Sequence, residues 1–451
     1  MRLLEPAYKL GSRRPNSQSR LRLSLPSTDE LSIVRFVVLG AGLAGVTSAW
    51  ELLRDGHQVI VVDRGSESAN FSSYANAGLI APGHAFAWAS PSAPGMMLRS
   101  LWRNDQAIRF RPQLDFRQWR WIMAFLGQCN RARAHINTER KVRLCRYSQK
   151  CLNQVAEETS VTYEGQTGGL VYFYLSKSSF AAAAKKSELL KNFGLKIEAL
   201  DPEGLIELDP GLSDAKRKIA GALYCPSDES GDARLFTQAL AAVCQENGAT
   251  FHMNTPVRGF LSESGTITAV DTPTGPIEGD AFVLSLGVHS PELVRRLGIR
   301  LPIYPVKGYS VTLPIGPSHQ PPKLGGVDED HLLAYCPMGD HLRITATAEI
   351  GGYDTSFQPS DFRVMLEKTQ ELLPKAADYS APEYWACLRP MTPTGLPFID
   401  RTRFSNLWLN TGHGHMGWTM ACGSAKILAD LIADRPPEIP LEGMTLTSAR
   451  D

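Results

Sequence analysis

The chain has no C-x-x-C pair. Its 8 cysteines (129, 145, 151, 225, 244, 336, 387 and 422) are scattered through 451 residues. That scatter offers neither a disulfide framework nor a zinc-ligand set, and it fits a reducing cytosol. Past Leu53 no apolar run approaches the roughly 18 residues that a membrane-spanning helix needs. Net charge is only +1, so the chain as a whole exerts no general attraction on nucleic acid or anionic lipid. No internal repeat of fixed period is visible. Acids and apolar periodicity are also scarce in residues 1–28, where Arg2, Arg13, Arg14, Arg20 and Arg22 lie among serines. A transit peptide, a disordered tail and untranslated sequence ahead of a start at Val34 all fit this opening, the last two better. All three place it outside the fold. The remainder is globular in composition, 43% hydrophobic and 21% charged, and its length calls for two domains.

The stretch that organises the chain is Phe36-Val37-Val38-Leu39-Gly40-Ala41-Gly42-Leu43-Ala44-Gly45. Four apolar residues read as a buried parallel strand. G-x-G-x-x-G follows, then a helical pattern from Val46 to Leu53 closed by Gly56, then a second apolar run, Val59 to Val62, ending in Asp63. This is the dinucleotide fingerprint in its full context. Gly40 permits the tight turn, Gly42 lets backbone approach a pyrophosphate, and Gly45 lets the helix pack on the strand. The helix N-terminus offers free N–H groups to phosphate. Asp63, 18 residues past Gly45, stands where a carboxylate accepts from ribose hydroxyls. A plain glycine turn lacks this register. A membrane span is excluded by the glycines and by Glu51, Arg54 and Asp55.

Further along, Ser72 to Gly83 is small, polar and glycine-bearing, and its place after Asp63 suggests a loop facing the ligand. Residues 96–160 read as helical. Trp119, Trp121, Ile122, Phe125 and Leu126 form an apolar face taken as core, and the basic run Arg131 to Arg146 reads as a solvated face, with contact to a membrane surface as the alternative. Strand Gly169–Leu175 and a helix over 178–192 follow. Then come helix Phe236–Asn247, strand Thr250–Met253 leading to Val257, and a buried strand Ala281–Leu286 that ends at Gly287. Residues 301–386 are strand-rich (Tyr309–Leu313, Leu332–Tyr335, Leu342–Ala348) with one helix, Asp361–Leu373. Strand Leu407–Asn410 leads into Gly412, Gly414 and Gly417, a second glycine-rich junction, and a helix to about Ile432. The expected fold is α/β, a Rossmann-like domain discontinuous in sequence (34–95, 221–300 and 387–435). A β-rich α+β substrate or cap domain (96–220 and 301–386) and a tail, 436–451, complete the chain.

Several segments together resemble the bacterial D-amino acid dehydrogenase small-subunit family, within the D-amino-acid-oxidase and glycine-oxidase superfamily of flavoproteins. They are Val38 to Gly42, Ala75-Asn76-Ala77-Gly78, Asp228 to Asp232, Tyr304 to Ser310, Leu388 to Pro393, Asn410 to Gly414 and Gly417 to Ser424. They run in family order over about 34–435. The resemblance implies FAD rather than NAD, held by Val38, Leu39, Gly40, Ala41, Gly42, Ala44, Gly45, Asp63, Arg64, Ala75, Asn76, Ala77, Gly78, Val257, Gly287, Gly412, Gly414 and Gly417. It implies oxidation of a D-alanine-like D-amino acid to an imine that hydrolyses to a 2-oxo acid and ammonia. Electrons would pass to a respiratory quinone or carrier. Arg389 would grip the substrate carboxylate, as a planar guanidinium can through two parallel bonds, and Tyr309 would join it as a catalytic residue. His413 reads as a packing or capping residue. The protein would be cytoplasmic or peripheral on the inner membrane. The alternatives are a glycine- or sarcosine-type amine oxidase using oxygen, and a non-catalytic or NAD-binding Rossmann protein. Leu79, His84 and His415-Met416 depart from the family pattern in loops expected near the flavin or its substrate, which leaves substrate identity open.

Overall fold

The computed structural model describes residues 33–100 and 108–447. The expectations for 1–32, 101–107 and 448–451 lie outside them. Strand β1 (Arg35–Leu39), helix α1 (Leu43–Arg54) and strand β2 (Gln58–Val62) form the predicted βαβ unit. β1 is apolar on both faces because both are covered. Val37 and Leu39 pack with Ile267, Val270 and Phe282. Phe36 and Val38 pack with Trp50, Phe236 and Ile427 from the helical layer. The six-stranded sheet runs Phe398–Arg401, Leu407–Thr411, Ala281–Leu284, β1, β2, Thr250–His252, parallel except at the first pair. Strands from three distant parts of the chain thus build one Rossmann-like layer.

A nine-stranded mixed sheet forms the second layer. Its centre is the antiparallel set Glu383–Met391, Tyr304–Pro314, His341–Ile350 and Leu333–Met338. Gly325–Asp328 then pairs in parallel with Leu170–Tyr174. Gly221–Cys225 and Glu383–Met391, at the joints between the two expected domains, both pair within this larger sheet. At the other end Met444 is buried, and its carbonyl accepts from Ile399 N–H at 2.8 Å.

Three local expectations need correction. The stretch 96–160 is not helical throughout: between α2 (Ala93–Arg99) and α3 (Phe116–Gln128) the strand Ile108–Phe110 pairs with Ala348–Ile350. Trp121, Ile122 and Phe125 of α3 are core, but Trp119 and Leu126 face outward. The basic run lies on α4 (Arg131–Thr159) and is not simply solvated. Lys141 is fully buried, with Nζ donating to the Phe86 carbonyl at 2.8 Å, and burial pulls its ammonium down to about 8. Arg143 bonds Glu442 and Arg146 bonds the Phe193 carbonyl.

α4 crosses the Gly417–Ile432 helix at Gly423, where an added Cβ would sit 2.6 Å from Ser148 Cα. Both atoms are on helix backbones, so neither can swing away. Gly423→Val should therefore cost about 2–3 kcal/mol by overpacking. Urea unfolding followed by tryptophan fluorescence checks this, and an unchanged midpoint would show that the two helices separate freely. Among the described residues no helix is long and apolar enough to cross a membrane.

Candidate active site

The turn after β1 is built from its glycines. Gly40 has φ +110°, a region glycine alone occupies readily, and a Cβ there would lie 2.7 Å from the Ser285 carbonyl. At Gly45 a Cβ would lie 1.8 Å from the Gly40 carbonyl, so only glycine lets α1 leave the strand at this angle. Gly42 is different: a Cβ there would meet only Ser73 Oγ, at 3.6 Å. Its freedom from a side chain serves the space in front of it, not the protein behind it. Asp63 braces the turn, accepting from Ala41 N–H at 2.7 Å and Gly65 N–H at 2.6 Å. Each carboxylate oxygen keeps further acceptor capacity.

In front of the turn a cavity of about 1050 Å³ runs between the two sheets. Of the residues predicted from sequence, it is lined by Gly40, Gly42, Ala44, Asp63, Arg64, Ala75, Asn76, Ala77, Gly78, Val257, Gly287, Tyr309, Arg389, Gly414 and Gly417. Val38, Leu39, Ala41, Gly45 and Gly412 stand behind the wall and shape it through backbone placement. Three glycine junctions open on this cavity, after β1, after Ala281–Leu284 and after Leu407–Thr411. All three lie at the carboxyl ends of neighbouring parallel strands, where α/β sheets bind ligands. The Ala75–Gly78 loop is pinned opposite them: Asn76 Oδ1 accepts from Gly78 N–H at 2.9 Å, and Arg343 Nη1 donates to the Asn76 carbonyl at 3.1 Å.

Arg389 is carried into the cavity by the Glu383–Met391 strand and packs its guanidinium over Gly308, where a Cβ would lie 2.5 Å from the guanidinium carbon. Nη1 donates to the Thr347 carbonyl at 3.2 Å. No carboxylate pairs with Arg389 among the described residues. Burial alone pulls it down to about 10. A buried cation without a counter-ion is costly, and an anionic ligand entering the cavity removes that cost. Tyr309 borders the same space, but its ring packs edge-on against Phe362, 5.4 Å away, and so belongs to the core beneath the sheet. A bulge between Gly308 and Tyr309 separates the two roles.

Leu79, His84, His415 and Met416, the departures from the family pattern, line the same cavity. His415 stacks on Trp88 at 4.4 Å, and burial, then Lys141 and Arg389, push its imidazole well below its ordinary range. Its Nε2 has no partner among the described residues. His84 Nε2 meets Glu329 Oε1 at 2.7 Å and its ring stacks on Tyr172. Glu329, Trp88 and Thr347 carry no local motif, and sequence reading did not find them. Gly308, within Tyr304 to Ser310, carries no signal of its own in the sequence.

His413 lies against the start of the last helix, its Nε2 2.8 Å from Ser424 Oγ. Burial lowers it to about 4. In the unfolded chain it titrates near 6.5, so the unfolded state binds more protons between those two values. Stability is therefore full above about pH 6.5 and falls as pH drops toward 4, by about 3 kcal/mol for this group. His413→Gln, which keeps a bond to Ser424, should flatten that slope. Urea midpoints measured near pH 7 and near pH 4.5 check it; an equal acid loss in the variant would place the sensitivity elsewhere.

A Rossmann-like sheet whose three glycine junctions share one cavity defines a dinucleotide-dependent enzyme. The residues fit a flavin dinucleotide: the cradle at Gly42 is open, the Gly417–Ile432 helix has no side-chain cap, and the cavity continues past the second glycine junction to Arg389. The model of the FAD dependent oxidoreductase family matches residues 35–431, and the chain belongs to that family. It is 44% identical over 412 residues to D-amino acid dehydrogenase 2 of Mesorhizobium japonicum, covering 91% of this chain and 99% of the relative. The D-amino acid dehydrogenase of Paramagnetospirillum magneticum is 40% identical over 412 residues, 91% of this chain and 98% of its own. Among solved structures, glycine oxidase from Geobacillus kaustophilus superposes with a TM-score of 0.70 at 22% identity, over 92% of this chain and 98% of that one. L-Proline dehydrogenase from P. horikoshii gives 0.68 at 20%, over 92% and 97%. These last two speak for the fold alone.

Proposed function

We propose that the chain oxidises D-amino acids of D-alanine type, yielding an imine that hydrolyses to a 2-oxo acid and ammonia. The observation that carries this reading is the unpaired, buried Arg389 at the far end of the cofactor cavity. FAD, when bound, takes up the two electrons and the hydrogen released from the substrate carbon. Gly40 to Gly45, Asp63, the Ala75–Gly78 loop and Gly414 to Gly417 are the residues that would hold it. Arg389 fixes the carboxylate through its planar fork, which sets where the Cα–H points. His415, kept neutral by burial, adds no second positive charge beside Arg389 to misplace that carboxylate. The buried walls exclude water and so strengthen the ion pair.

The other elements rest on the resemblance. The acceptor is a respiratory quinone or carrier, with oxygen as the rival reading of glycine-oxidase type. The chain acts as a smaller subunit and works in the cytoplasm or against the inner membrane. The cofactor part is drawn from 34–95, 221–300 and 387–435, and the substrate part from 96–220 and 301–386. Anaerobic mixing of the yellow protein with D-alanine, L-alanine, glycine, sarcosine, proline and 2-hydroxy acids tests the substrate class. D-Alanine should bleach the flavin and L-alanine should not. Bleaching by glycine or sarcosine instead, with peroxide formed in air, would overturn the reading.

A further inference from the structure

The outer face of α3 is apolar although nothing covers it among the described residues. Leu114, Phe116, Trp119, Met123 and Leu126 are all exposed, Phe116 by 75% and Met123 by 68%. From Phe116 onward their spacing of three, four and three residues places them on one helical stripe. The opposite stripe, Gln118, Trp121, Ile122 and Phe125, is buried. A helix that is apolar on both sides while lying at the surface needs a second apolar neighbour.

Charge identifies that neighbour. Between Ile108 and Asn137 there are 6 arginines and one acidic residue, Asp115, although the whole chain carries only +1. Arg120, next to the stripe, and Arg131, just past the helix end, are exposed. Trp119 holds its indole by donating Nε1–H to the Gln113 carbonyl at 3.0 Å, with the ring half outward. Apolar side chains on one face, a tryptophan at their edge and arginines around them describe a helix that lies in the headgroup region of an anionic bilayer. Arg117 pairs with Asp115 and Arg111 with Glu349, so among the described residues Arg120 and Arg131 carry the unneutralised charge beside the stripe.

We propose that α3 seats the protein on an anionic membrane surface, with the stripe from Phe116 to Leu126 in the acyl boundary and the arginines at the phosphates. The inner side of the same helix, through Trp121 and Phe125, lines the cofactor cavity together with Met96 and Met97 of α2. Docking through α3 therefore brings the lipid phase to within one helix of the reaction cavity. The inference deepens the proposed respiratory reading and rests on it for its biological sense. It also shifts the membrane contact from the middle of the α4 basic run, where Lys141, Arg143 and Arg146 are engaged, to α3 and the first residue of that run, Arg131.

The test is sedimentation of the flavin-loaded protein with vesicles of phosphatidylcholine alone or mixed with phosphatidylglycerol. The unmodified protein should sediment with the mixed vesicles. Phe116→Ser combined with Met123→Ser should lower the bound fraction about tenfold or more, since two apolar anchors are lost. Arg120→Gln should weaken binding to the mixed vesicles and leave binding to phosphatidylcholine unchanged. D-Alanine-dependent dye reduction in solution should be the same for all three. A double variant that binds as the parent does, or a parent that stays in the supernatant, overturns the proposal. So does a parent dimer that the double variant converts to monomer by light scattering, since the stripe would then join two copies. A parent that binds vesicles through the stripe yet oxidises no D-amino acid leaves this inference standing and overturns the function proposed above.

Discussion

Arg389→Leu should leave the protein yellow and nearly inactive. The cofactor would be held by backbone at Gly40 to Gly45 and Gly414 to Gly417, away from this side chain's packing place over Gly308. The substrate carboxylate, in contrast, would lose the buried cation that anchors it. Truncating one member of a buried, hydrogen-bonded charge pair costs about 2–5 kcal/mol, so kcat/KM for D-alanine should fall about 10²- to 10⁴-fold. Both constants should move, KM because binding is lost and kcat because the Cα–H is no longer aimed. Arg389→Lys should recover part, because an ammonium supplies charge without the two-pronged geometry. Steady-state rates with a dye acceptor, read beside the bound flavin content, check both variants. Near-normal kcat/KM in Arg389→Leu would remove Arg389 from the site.

The second large effect is expected at two neighbouring glycines, with different outcomes. Gly42→Ala adds a methyl group where the protein has room, with Ser73 Oγ at 3.6 Å as its nearest neighbour. The fold should survive with an unchanged midpoint in the flavin-free state. The methyl projects into the space where backbone must approach the pyrophosphate, so FAD affinity should drop about 100-fold or more, as expected when close backbone contact to phosphate is blocked. Gly45→Ala adds the same methyl 1.8 Å from the Gly40 carbonyl. There the helix must shift off the strand, and soluble folded protein should be lost along with the flavin. Equal flavin content in Gly42→Ala and the parent would show that the cofactor's phosphates do not pass this turn.

How much of this could be read from the residues follows from where each feature's causes lie. The unit from β1 to β2 was legible because its turn, helix and strand are all set by neighbours in sequence. The buried strand Ala281–Leu284 was legible from its run of apolar residues. Gly325–Asp328 was not: Gly-Gly-Val-Asp carries no strand pattern, and it is a strand because Leu170–Tyr174 and Leu333–Met338 pair on either side of it. Glu383–Met391 was missed for the same reason, since its two proline-flanked polar residues pair with Tyr304–Pro314 at long range. The α3 error has another origin. Trp119, Trp121, Ile122, Phe125 and Leu126 crowd together in sequence and suggest one face, but at 3.6 residues per turn Trp119 falls beside Met123, on the other side from Trp121 and Phe125. Arg389 could be singled out only through the resemblance. Its burial, its lack of a counter-ion and its seat on Gly308 come from strands that meet across dozens of residues. The contact between His84 and Glu329 is equally non-local, and no residue type or spacing announces it.

The measurement that bears most directly on the reading is a pair of substrates tested on a pair of proteins. D-Alanine and D-alaninamide differ in the carboxylate that Arg389 would hold, and anaerobic flavin bleaching reports their oxidation without any acceptor. The unmodified protein should bleach far faster with D-alanine at equal concentration, and Arg389→Leu should treat the two nearly alike. A variant that still prefers D-alanine by the parent's ratio would contradict the assignment of Arg389 as the carboxylate anchor.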